Sequence, residues 1–207
     1  MNRVATTVAS ACAALLAAAA SPCAAQSDGA YGRLDGDLAW QVDVGAGLRD
    51  RSPGSVFSLS TRYLETAGLY ASEFEPWTAH RDHPRTASIG VELRPLFLPR
   101  FLKNMERGPS WLDLTIDSSS LRLGPFISSS SLASLRTPGW ETSLQLGVPF
   151  TSRAAGPWLR LGATVQWPDT GLPHRPAHAP SALWTVAVAW QGLVDAGLVD
   201  LGDRSPP

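Results

Sequence analysis

Ten ionisable side chains recur at alternate positions inside largely apolar stretches of this chain: Asp35, Asp37, Asp43, Arg62, Glu92, Arg94, Asp113, Asp117, Glu141 and Arg160. Alternate residues of an extended backbone share one face, so acids and arginines at this spacing are presented together. The chemistry this allows is carboxylate–guanidinium pairing across an enclosed polar interior, where an unpaired charge is costly. A narrow polar pore or a small-ligand pocket is the alternative. Asp35, Asp37 and Asp43 are expected to partner Arg62, Arg94 or Arg160.

Catalysis asks for more than charge. Acyl transfer or deacylation needs a general base held rigidly beside its nucleophile. The histidines His80, His83, His174 and His178 all fall in proline-bearing segments outside any alternating stretch, and the serines of Ser128–Ser131 have no base near them. No third ligand is spaced to complete a metal site with these histidines, and no Gly-rich phosphate loop opens a helix. No catalytic residue, metal or cofactor is expected.

The first three acids are positioned by Leu34–Leu48, where Leu34, Leu38, Trp40, Val42, Val44 and Leu48 alternate with acidic, small or amide residues. Its 15 residues exceed the ~5–6 of a common strand. They suffice for the ~9–11 tilted residues of a barrel strand that crosses a bilayer. Arg49–Ser55 follows as a turn, with Pro53-Gly54 setting the reversal. A second strand is predicted over Phe57–Ala71, with the break at Leu64-Glu65 explained by a bulge or by a position beyond the apolar band. Glu73–Thr86 reads as a loop and Ser88–Phe97 as the third strand.

One short helix is predicted over Arg100–Arg107, after Pro99 and before Gly108-Pro109, with Leu98, Phe101, Leu102 and Met105 on one side. It either lies on a bilayer edge, where Arg100, Lys103 and Arg107 meet lipid phosphates, or caps a barrel mouth. The fourth strand, Leu112–Ile127, shifts phase at Ser118-Ser119-Ser120. Trp140–Phe150, Leu159–Trp167 and Leu183–Gln191 alternate cleanly, and Gly192–Leu201 is a continuation or a short eighth strand. Even strand numbers are the rule for bacterial barrels, which sets the count at eight. With these boundaries the connections opposite the N-terminus are the shorter ones.

The polar face carries mostly Ser, Thr, Gly and Gln, which suit a narrow lumen. Trp140, Phe150, Trp158, Trp167, Trp184 and Trp190 fall toward strand ends, the spacing of two aromatic girdles at headgroup level. Ahead of the strands, Arg3, the apolar Val8–Ala20 and Cys23-Ala24-Ala25 read as a cleaved export signal over residues 1–25. Residues 26–207 then form a single barrel domain with a short C-terminal tail, 207 − 25 = 182 residues, without either cysteine. Their formal charge is 16 − 18 = −2, so no basic surface offers itself to nucleic acid.

Signal, amphipathic strands across Gly32–Val199 and flanking Trp and Phe together resemble the small outer-membrane β-barrel proteins of Gram-negative bacteria. The resemblance implies an all-β, antiparallel up-and-down transmembrane barrel, monomeric, with outer-membrane lipid as its partner. It also implies a structural or narrow-pore role without enzymatic activity. A second reading is an exported soluble, lipocalin-like barrel whose apolar faces turn inward around an apolar ligand. A third is a barrel-embedded lipid-modifying enzyme, against which the lack of any histidine on a strand weighs.

Overall fold

The computed structural model describes residues 30–33, 35–77, 84–103, 105, 108–130, 133–168 and 180–197. The expected export signal, all four histidines and the C-terminal tail lie outside these residues. Eight antiparallel strands close into a barrel in chain order: β1 (Leu38–Arg49), β2 (Ser52–Tyr63), β3 (Ala67–Pro76), β4 (Arg85–Leu93), β5 (Ser120–Ser130), β6 (Ala133–Pro149), β7 (Gly156–Pro168) and β8 (Ser181–Val194). β8 pairs with β1, so no sheet edge is left open.

Stepping from partner to partner around the wall gives Leu38, Tyr63, Ala67, Leu93, Leu121, Leu144, Ala163, Trp184 and then Leu48. The circuit returns to β1 at a stagger of 48 − 38 = 10 residues. A stagger of this kind requires tilted strands, at roughly 40° to the barrel axis.

The alternation in the sequence becomes an inverted polarity. Val42 stands opposite Leu59, Val44 opposite Val188 and Trp140 opposite Trp167, all on the outer surface. Such cross-strand pairs of branched and aromatic side chains stabilise a pleated sheet. Inside, the chain buries 25 polar or charged residues against 11 apolar ones among those described. The barrel is therefore greasy on its exterior and polar in its core.

Several expected boundaries move. The predicted second strand is a hairpin: β2 ends at Tyr63, and Leu64 and Glu65 turn at φ 45° and 56° into β3. The break in alternation there marks a reversal rather than a bulge. The first hairpin turns at Asp50-Arg51, both at positive φ (45° and 73°), while Pro53 and Gly54 sit within β2. A two-residue turn with two left-handed residues matches the twist of the flanking strands, which outweighs the Pro-Gly signal. β3 continues to Pro76, through the start of the expected loop.

The connection after β4 holds two short helices where one was expected, α1 (Phe97–Leu102) and α2 (Ser110–Asp117). α1 starts earlier than the predicted Arg100, with Pro99 in its first turn, where a missing N–H does no harm. α2 replaces the first half of the predicted fourth strand. Its buried residues Asp113, Leu114 and Asp117 follow helical spacing, and a short run such as Leu-Asp-Leu-Thr-Ile-Asp suits either period. Splitting the second strand also changes the parity. Residues 64–66, 94–119 and 150–155 connect strands at the end where β1 starts and β8 finishes, here the lid end. Residues 50–51, 77–84, 131–132 and 169–180 connect them at the far end.

Candidate functional site

The barrel interior is a stack of ion pairs along its axis. Nearest the far end, Arg49 lies over the Phe74 ring at 4.6 Å. Its Nη2 donates to Thr86 Oγ1 (2.6 Å) and Gln166 Oε1 (2.7 Å), and its Nη1 to the Pro84 carbonyl (3.1 Å). Gln166 passes a hydrogen bond on to Glu141 (2.7 Å), which also accepts from the Tyr70 hydroxyl (3.0 Å). Gly90 and Gly124 let β4 and β5 approach closely, since a Cβ on either would overlap the other strand's backbone.

At mid-height, Glu92 is wholly buried and faces four guanidinium groups. Arg122 Nε lies 2.7 Å from its carboxylate, Arg62 Nη1 3.4 Å, Arg94 Nε 3.8 Å and Arg160 Nη2 4.0 Å. Arg122 also stacks over Tyr70, donates to Ser58 and stands 3.8 Å from Asp43. One turn closer to the lid, Glu65 is met by Arg94 Nη1 (2.5 Å) and Arg62 Nε (3.2 Å), and accepts from Gln191. Gln41 and Gln191 accept from both arginines, so each fork is held from several directions. Burial pushes the Glu65 carboxyl up, but Arg94 and Arg62 hold it below the usual carboxylate range.

The lid closes the mouth. Arg33 pairs with Asp117 (2.8 Å) and lies over Phe97 at 4.9 Å, while Arg100 reaches Asp113 (2.5 Å) and Asp117 (3.0 Å). Tyr31, in a left-handed conformation (φ 59°), donates to Asp113 (3.0 Å). Beneath it, Leu114, Ala154, Trp158 and Ala189 form a small apolar cluster. Ser118 Oγ donates to the Gly147 carbonyl and accepts from its N–H (2.8 and 2.7 Å), fixing α2 to β6. A side chain at residue 147 would crowd Arg160, Trp158 and Ser118, all within 3.2 Å of its Cβ.

Seven of the ten predicted interior charges, Asp37, Asp43, Arg62, Glu92, Arg94, Glu141 and Arg160, are buried, and all of these but Asp37 are part of this stack. Asp113 and Asp117 are buried too, on α2 in the lid rather than on a strand. Asp35 is exposed ahead of β1, whereas Asp37, also ahead of the strand, is buried. The partners differ from those expected: Arg62 and Arg94 are matched chiefly by Glu65 and Glu92. Asp37 accepts from the Ala196 N–H (2.6 Å).

Arg33, Arg49, Glu65 and Arg122 were missed. Arg49 continues the parity of Asp43, and Arg122 that of Ser120 and Gly124, so both were there to be read. Arg33 and Glu65 sit in irregular backbone, where parity carries no information. Of the six aromatics, Trp140, Phe150, Trp167 and Trp184 are exposed on the outer surface and Trp190 is half-buried. Trp158 departs from the expectation: only 3 % exposed, it points inward on the parity of Arg160 and donates to the Ala154 carbonyl (2.9 Å).

Chemically, the arrangement holds charge in place. Cavities of about 40 Å³ between the Arg49 and Arg122 levels and about 10 Å³ under the lid are found among the described residues. They have room for a few waters. The lumen serines Ser58, Ser60 and Ser143 bond to Arg122, Arg62 and Gln145. Among the described residues no three His, Cys, Asp or Glu side chains converge as metal ligands. No family model and no curated protein matches this sequence.

Proposed function

We propose that this chain is a non-enzymatic outer-membrane β-barrel, exported through its N-terminal signal, with a plugged lumen and a structural role. The observation that carries this reading is the inverted polarity. An aqueous barrel that binds an apolar ligand needs an apolar inner wall, whereas Arg62, Glu92, Arg122, Glu141 and Arg160 line this one. Its outer wall exposes Leu69, Ile89, Leu123, Leu144, Val186 and Val188 at 52–61 %. An apolar belt around a whole barrel far exceeds the patches that soluble monomers tolerate.

Strand length agrees with a bilayer crossing, at 9 residues for β4 and 17 for β6, against the ~9–11 required. Trp140, Trp167 and Trp184 gather toward the far end of the belt and Phe150 toward the lid end, where interfacial rings belong. The ion pairs at mid-height favour a closed lumen over an open narrow pore, because an ion would have to part Glu92 from its arginines. The test is fractionation of the expressed full-length protein with gel migration before and after boiling. Recovery in the outer membrane with a heat-dependent mobility shift is expected. A soluble protein without that shift overturns the reading.

A further inference from the structure

We propose that the lid helices α1 and α2 have a second face that docks on the lipid bilayer, in the leaflet at the lid end, and so fixes how deep the barrel sits. This inference rests on the membrane reading above. Each helix is two-sided in an unusual way. The inward side, with Phe97, Asp113, Leu114 and Asp117, seals the mouth through Arg33 and Arg100. The outward side of a lid in water should be polar. Here it carries Leu98, Phe101, Leu102, Trp111 and Leu112, with Leu102 77 % and Trp111 55 % exposed, and Met105 between the helices is 57 % exposed.

Lipid is assigned as the occupant because this surface is joined directly to two strands of the outer belt and has the same apolar character. Leu93 ends β4 and Leu121 is the second residue of β5, both on the belt and nearly half exposed, and the helical connection springs from between them. The neighbouring 150–155 connection begins with Phe150, 60 % exposed at the same end. Anything that covers the helices therefore meets the surface that lipid covers on the wall. The chain's single lysine, Lys103, follows α1 directly. A lysine beside apolar residues at a membrane surface keeps its stem in the apolar layer and its amine among phosphates.

The experiment places an environment-sensitive fluorophore on single cysteines in the full chain, with Cys12 and Cys23 changed to serine. The sites are Leu102→Cys on the lid, Leu144→Cys on the belt and Arg51→Cys in the far-end turn. Each protein is reconstituted in phosphatidylcholine–phosphatidylglycerol vesicles, with and without nitroxide-labelled lipid. Blue-shifted emission quenched by the nitroxide lipid is expected at residues 102 and 144, and aqueous emission at 51. Lipid-quenched emission at 144 with aqueous emission at 102 overturns the lid inference and leaves the barrel reading standing. Blue-shifted but unquenched emission at 102 means that protein covers the lid, a second copy included, and also overturns it. Aqueous emission at both 102 and 144 overturns the membrane reading, and this inference with it.

Discussion

Glu92 and Arg160 are both buried and charged, yet the stack depends on them very differently. Glu92 is the shared counter-charge of four arginines, whereas Arg160 has a 3.5 Å hydrogen bond to Ser120 and a 4.0 Å ion pair to Glu92. Removing one partner of a buried pair leaves the other charge uncompensated, which costs about 3–5 kcal/mol. Glu92→Gln is expected to lose stability on that scale in urea unfolding from vesicles, and Arg160→Met clearly less. Equal losses would show that charge count matters here and geometry does not.

Glu65 adds a pH dependence. Its folded pKa lies below the unfolded one, so its contribution is present above the unfolded value of about 4.3 and fades as pH falls through the folded value. Stability should therefore decline in acid below about pH 4. Glu65→Gln should lower the plateau at neutral pH and flatten that decline, as read from unfolding midpoints between pH 3 and 7.

The elements are organised by their turns as much as by their strands. Asp50 and Arg51 hold positive φ without being glycine, a conformation that costs an L-residue roughly 1–2 kcal/mol. Arg51→Gly is expected to stabilise the barrel by up to about 1 kcal/mol, with refolding speed and thermal midpoint as the readouts. The Leu64–Glu65 turn carries comparable strain but offsets it, since its geometry is what delivers the Glu65 carboxylate to Arg62 and Arg94. That compensation explains why a reversal occurs where no Gly, Pro or Asn announces one, and why the sequence reads there as a single long strand. α2 is hidden for another reason. Seen locally, Leu112, Leu114 and Ile116 alternate as a strand does, and only the pull of Arg33 and Arg100 on Asp113 and Asp117 selects the helix.

At the scale of the whole molecule, the proposed membrane reading makes folding and bilayer insertion one event, because the inverted polarity leaves the apolar wall outside. Leu144 lies between Trp140 and Phe150 on β6, near the middle of the belt. Leu144→Arg is expected to cost ~2–4 kcal/mol when folding occurs into a bilayer. It should cost little in a detergent micelle, whose shell adapts to the charge. A similar small effect in both would mean that the belt does not meet hydrocarbon.

What the sequence by itself determined is the facing of the wall. Side-chain direction alternates with every residue, a local property, so Val42, Leu144 and Val188 outside and Asp43, Arg62, Glu141 and Arg160 inside follow from parity alone. The same rule turned Trp158 inward and Arg49 and Arg122 into the lumen, although a strand-end signal masked Trp158 and a turn signal masked Arg49. The partnerships were decided only by the tertiary structure. Glu92 meets Arg122, its direct partner on β5, and Arg62 on β2, across Gly68, through the pairing register. Arg160, four residues along β7 from that row, reaches it across a lumen closed at a ten-residue stagger. Closure of the barrel sets that stagger, and no single strand records it. The lid belongs with the partnerships, since α2 becomes a helix only when the charged mouth beneath it exists.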